Sequence, residues 1–99
     1  MSAEAKLTRR VVIAGFVQGV GYRDFARRAA LRRRISGWVR NRPDGTVEAL
    51  IQGAPDDIEA MLAELRRGPR GAGVTALTLA DPVAGDEFGH GTFAILPTF

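Results

Sequence analysis

The chain has 99 residues, 45% hydrophobic and 25% charged, enough for one core and one domain. It has no cysteine, which excludes disulfides, thiolate metal sites and cysteine nucleophiles together; no apolar run approaches the roughly 20 residues of a membrane-spanning helix. The net charge of +3 is uneven, with 11 Lys/Arg against 4 Asp/Glu in residues 1–50 and 3 against 7 in residues 51–99.

In chain order, residues 1–6 are short, polar and expected to fray. Arg9-Arg10 before Val11-Val12-Ile13-Ala14 faintly resembles a signal sequence, but the apolar part ends within a few residues. Leu7 to Ala14 therefore reads as a first strand, rich in β-branched residues, and the protein as cytoplasmic. Tyr22 to Arg33 reads as a helix, because Tyr22, Phe25, Ala26, Ala29 and Ala30 fall on one face. Small alanines on that face let the helix lie close to a sheet. Its end carries no glycine, so a left-handed residue at Arg33 or Arg34 would be uncommon for its type. The opposite face holds Arg27, Arg28, Arg32, Arg33 and Arg34. Such a face is either solvated, attracting an anionic substrate, or a nucleic-acid surface. No aromatic residues interleave with these arginines, which weakens the nucleic-acid reading.

Ile35 to Arg42 and Thr46 to Gln52 read as a hairpin about Pro43-Asp44-Gly45. In its second strand Val47, Ala49 and Ile51 alternate with Thr46, Glu48, Leu50 and Gln52. Gly53 to Asp57 opens a second helix, with an early proline and acids in the first turn. Its apolar stripe is Ile58, Met61, Leu62 and Leu65, and Arg66-Arg67-Gly68-Pro69 stops it. After a glycine-rich loop, Val74 to Ala80 is a fourth strand, with Val74, Ala76 and Thr78 alternating against Thr75, Leu77 and Leu79. Asp81 to Gly91 reads as a polar loop and Thr92 to Leu96 as a last short strand. The order is β-α-β-β-α-β plus a fifth strand. Two helices of about 12 residues cannot cover both faces of five strands, so both lie on one face of a mostly antiparallel sheet, an α+β sandwich. No repeat, linker or low-complexity tract divides the chain.

Two places carry candidate chemistry. Gly15-Phe16-Val17-Gln18-Gly19-Val20-Gly21-Tyr22-Arg23 joins the first strand to the first helix. It either points backbone N–H groups at one anion near the positive end of the helix, with Arg23 gripping two of its oxygens, or is a tight turn that needs glycine for its φ angles. Asn41 stands near the end of the second strand. If the first two strands are sheet neighbours with aligned ends, it comes close to that loop, where an amide can accept from a water and donate to a phosphate. On propensity alone it is a residue that shapes the hairpin turn.

Gly15 to Arg23 resembles the first signature of the acylphosphatase family, Gly-x-Val-Gln-Gly-Val-x-Phe/Tyr-Arg. Gly37-Trp38-Val39-Arg40-Asn41, with Gly45-x-Val47 and Gly53, is similar to its second. The resemblance runs from the first strand to Phe93. It implies the ferredoxin-like α/β sandwich of that family and hydrolysis of acyl phosphates to a carboxylate and inorganic phosphate. It also implies Arg23 as the phosphate-binding arginine and Asn41 as the water-orienting asparagine, with Gln18, Gly19, Val20, Gly21, Tyr22 and Arg23 around the phosphate. The chain departs from the family at Arg33-Arg34, where Leu-Gly is usual. Asp24, directly after the arginine, is a carboxylate placed to compete for it. The end Ala94 to Phe99 lacks the basic or tyrosine residue often found after the last strand.

The residues themselves narrow the chemistry. A phosphoenzyme needs Cys, His or Asp beside the cradle. Cysteine is absent, His90 lies in a loop far along the chain and reads as a surface residue, and Asp24 reads as a nucleophile candidate or a helix-dipole partner. The motifs hold no carboxylate cluster spaced for Mg²⁺, so no metal or cofactor is expected. One arginine, backbone amides and an amide side chain can bind phosphate and orient water, but cannot protonate a poor leaving group. That suits a carboxylate leaving group. The expected partners are a small acyl phosphate and its product phosphate, with no nucleic acid and no membrane, acting on a monomer. Two other readings stand beside this one: a non-catalytic phosphate- or carbamoyl-phosphate-binding domain of the same fold, and a small nucleic-acid binder.

Overall fold

The computed structural model describes residues 6–81 and 92–98. Five strands, β1 (Leu7–Phe16), β2 (Ser36–Asn41), β3 (Val47–Gly53), β4 (Gly73–Ala80) and β5 (Phe93–Ile95), alternate with two helices, α1 (Tyr22–Arg32) and α2 (Pro55–Arg67). The sheet order is β4-β1-β3-β2-β5. All neighbours are antiparallel except β2 and β5. This is the ferredoxin-like α+β arrangement, with β5 added in parallel at one edge. The expected fraying of residues 1–6 falls largely outside the described residues, as do most of the polar loop from Asp81 and His90 within it.

The core lies between the sheet and the helices. Val11, Ile13, Val39, Val47, Ala49 and Ile51 meet Ala26, Ala29 and Ala30 of α1 and Ile58, Met61 and Leu65 of α2. α1 packs on β2 and β5, and α2 on β1, β4 and β3. At about 25 cal/mol per Å² of apolar surface, burial of this set is the main term favouring the fold. No described helix is long and apolar enough to cross a membrane.

Three details differ from the sequence expectation. β1 and β2 are not sheet neighbours, because β3 lies between them. Both run antiparallel to β3, and Ile13 and Asn41 each pair with Val47, so their ends still reach the same edge of the sheet. The far face of β3 is also buried, with Glu48 4% and Leu50 1% exposed. Trp38 pairs across from Leu50, while Arg10 and Arg40 close on Glu48 at 2.7 and 3.0 Å and flank the Trp38 ring. A two-strand alternation cannot reveal such cover, because it comes from neighbouring strands. Finally, the β1–β4 register shifts between Ala14 and Gly15, which pair with Ala76 and Val74. The irregularity brings Val74 and Leu77 together onto the core, breaking the simple alternation expected for β4.

The arginine face is largely paired. Arg32 and Arg33 both bind Glu64 of α2 at 2.7 Å, and Arg28 binds Asp24 at 3.1 Å. α1 ends in a Schellman turn, with Arg34 N–H bonded to the Leu31 carbonyl and Ile35 N–H to the Ala30 carbonyl. Arg34 takes the left-handed position, φ 56°, that glycine would fill more easily.

Candidate active site

The loop after β1 is shaped by Gly19 and Gly21, both at φ 78°, a region an L side chain enters only with strain. A Cβ at either would meet nothing within 4 Å, so space is not what selects glycine there. Gly21 is the N-cap of α1, and no side chain caps the helix. The first intrahelical bond is Phe25 N–H to the Gly21 carbonyl, 3.0 Å. The amides of the first turn are therefore left for an outside acceptor, at the end of the helix that favours negative charge.

A cavity of about 220 Å³ opens there, walled by the loop, the first turn of α1, and the ends of β2 and β5. Gly19, Gly21, Tyr22, Arg23, Asp24 and Asn41 line it. Arg23 is half-buried and has no ion pair or side-chain hydrogen bond within the described structure. Asp24 does not claim it, since its carboxylate turns to Arg28. Asn41 shares the parity of Val39, which places it on the helix face of the sheet. Its Oδ1 is buried without a hydrogen-bond partner, an arrangement that leaves an acceptor in the wall of the cavity.

The remaining loop residues hold the frame. Gln18 Nε2 donates to the carbonyls of Arg42 and Thr46, both at 2.9 Å, clamping the loop to the β2–β3 hairpin. Val20 packs against the core. Neither is among the residues that line the cavity. Tyr22 is 1% exposed and donates its hydroxyl to the Leu65 carbonyl of α2 at 2.7 Å; burial pushes its phenol well above the usual range. The hairpin turn is shaped by Asp44, which accepts from the Thr46 hydroxyl at 2.6 Å and from its N–H at 3.0 Å. Those two hydrogen bonds, the hydroxyl's first, hold the Asp44 carboxyl below its ordinary range. Among the described residues no three His, Cys, Asp or Glu side chains gather to hold a metal ion.

Val17 and Ile95 complete the wall. Ile95 was not singled out from sequence. It comes from the last strand and reaches the cavity only because β5 adds beside β2, where Ile95 pairs with Val39. No local motif marks it.

A model of the acylphosphatase family matches residues 9–95. The chain belongs to the acylphosphatase family. An acylphosphatase of Rhizobium etli is 56% identical over 68 residues, 69% of this chain and 72% of that one. The structure of an acylphosphatase from Coxiella burnetii superposes with a TM-score of 0.82 at 28% identity, covering 92% of this chain and 93% of that one. The acylphosphatase of Bacillus subtilis gives 0.76 at 33% identity, over 90% and 97% of the two chains. The acylphosphatase signatures quoted above thus sit on a sheet and helix pair of the family's own fold, and Arg23 of the first and Asn41 of the second line one cavity.

Proposed function

We propose that this cavity hydrolyses acyl phosphates by direct attack of water on phosphorus. The loop amides and Arg23 hold the phosphate, the guanidinium taking two of its oxygens. Asn41 accepts a hydrogen bond from the attacking water through Oδ1 and positions it in line. The water oxygen bonds to phosphorus as the bond from phosphorus to the acyl oxygen breaks. The carboxylate leaves with the electron pair, and the water's proton passes to an oxygen of the substrate's own phosphate. Charge that builds on the phosphoryl oxygens is met by donors already in place, so little reorganisation is needed.

The observation that carries this reading is the unpartnered Oδ1 of Asn41 in the same wall as an arginine that has no counter-ion among the described residues. The volume supports a small substrate, being below the roughly 300–1,000 Å³ of pockets that take drug-sized ligands. Pairing of Arg28, Arg32 and Arg33 with carboxylates supports a role apart from nucleic acid. On this reading the protein acts as a single-domain cytoplasmic monomer.

The test compares benzoyl phosphate with glycerol phosphate, with EDTA present throughout. Rapid phosphate release from the first and very little from the second is expected, because among the described residues the lining offers no group poised to protonate an alkoxide. Comparable rates on the two would contradict it. Phosphate binding without turnover of either would point instead to a binding domain.

A further inference from the structure

Resting on the hydrolase reading, we infer that Asp24 and Ile95 form the acyl-group end of the cavity and select an uncharged acyl group over one bearing a second anion. The cavity lining holds two chemically different sets of groups. One is Gly19, Gly21, Arg23 and Asn41, which suit a phosphate and a water. Of the rest, Val17 and Tyr22 are buried, which leaves Asp24 and the sec-butyl side chain of Ile95 on the solvent side. Ile95 is 41% exposed, one of four large apolar side chains left open among the described residues. It stands on the helix face of the sheet, and Asp24, in the first turn of α1, lines the same cavity.

The charge at this end is set by Asp24. Its side chain is 64% exposed, and its partner Arg28 lies one helical turn further on and is not part of the lining. Once Arg23 and the loop amides are engaged with the phosphate, the charged side chain left among the described lining residues is that of Asp24. An acyl group with a distal carboxylate or phosphate would bring like charge against it. A compact apolar group would instead cover Ile95 and remove apolar surface from water. Asp24 is thus a repulsive element, discriminating through what it rejects.

Benzoyl phosphate and 4-carboxybenzoyl phosphate share one frame and differ by one distal charge. The readout is the ratio of their kcat/KM values, in which any common effect of a variant on Arg23 cancels. The wild-type protein is expected to favour benzoyl phosphate, and Asp24→Asn to cut that preference by about three- to tenfold, the scale of an interaction between two solvent-exposed unit charges. Asp24→Lys should cut it further, and raising ionic strength should shrink it in the wild type but not in Asp24→Asn. For the apolar contact, Ile95→Ala should lower the benzoyl-to-acetyl phosphate ratio by about fivefold, below the roughly tenfold or more of a fully enclosed methylene. Preferences unchanged within twofold in both Asp24 variants and in Ile95→Ala would overturn the inference while leaving the hydrolase reading intact. Failure of the wild-type protein to release phosphate from any of these substrates would overturn both.

Discussion

Arg23 lines the cavity from the first turn of α1 without a counter-ion among the described residues, and Asn41 lines it from the end of β2 with a buried, unpartnered oxygen. A buried carbonyl without a partner is destabilising by about 1–3 kcal/mol, which a residue kept only for the turn would not carry. The turn has its own device in Asp44 and Thr46. Propensity made Asn41 a turn residue because Asn favours turns; only the paired strands reveal which face it occupies. Asn41→Ala is therefore expected to lower turnover by roughly 10²-fold or more, with phosphate affinity nearly unchanged and the unfolding midpoint equal or higher. Phosphate titration, steady-state kinetics and denaturant melts on one preparation check all three. Arg23→Lys keeps the charge and loses the fork, so turnover and phosphate affinity should both fall steeply with the fold intact by circular dichroism.

At the scale of elements, the loop and the hairpin act together because Gln18 bridges them. Gln18→Ala leaves two hairpin carbonyls without that donor. It should lower stability by about 1–2 kcal/mol and reduce kcat in proportion to the lost alignment of Arg23 with Asn41, measured by melts and by kcat on benzoyl phosphate. The sequence marked Gln18 as part of the motif, but not its direction, since its partners lie in another hairpin. The C-terminus of α1 runs against expectation: the missing glycine made a left-handed residue uncommon there, yet Arg34 takes that strained position at φ 56°, held by the two Schellman hydrogen bonds. Arg34→Gly relieves that strain, and should raise stability by about 1 kcal/mol despite glycine's greater freedom when unfolded. Activity should not move, because Arg34 lies beyond the helix end opposite the cavity. The insertion of β3 between β1 and β2 and the β4 irregularity were not legible, because strand order and register depend on pairings distant in sequence.

Across the whole molecule, Glu64 ties the two helices by accepting from Arg32 and Arg33 while 8% exposed. Burial alone would raise its carboxyl, but the hydrogen bonds and charges of Arg33 and Arg32 outweigh it and hold it below the usual 4.5. A depressed carboxyl contributes stability that is present above about pH 4.5 and is lost as pH falls through its folded value. Glu64→Gln should therefore lower the unfolding midpoint at pH 7 and flatten its decline below pH 4.5, read from thermal melts across the acid range. The two signatures and the element order carried the α+β fold and its family. They could not carry the acyl end of the cavity, because Ile95 joins it only through the parallel β2–β5 pairing. The central claim is that water attacks phosphorus in this cavity without a metal. Hydrolysis of benzoyl phosphate in oxygen-18 water with EDTA, followed by mass spectrometry of both products, tests it most directly. One heavy oxygen in the phosphate and none in the benzoate is the expected result; label in the benzoate, or no release until a metal is restored, would contradict it.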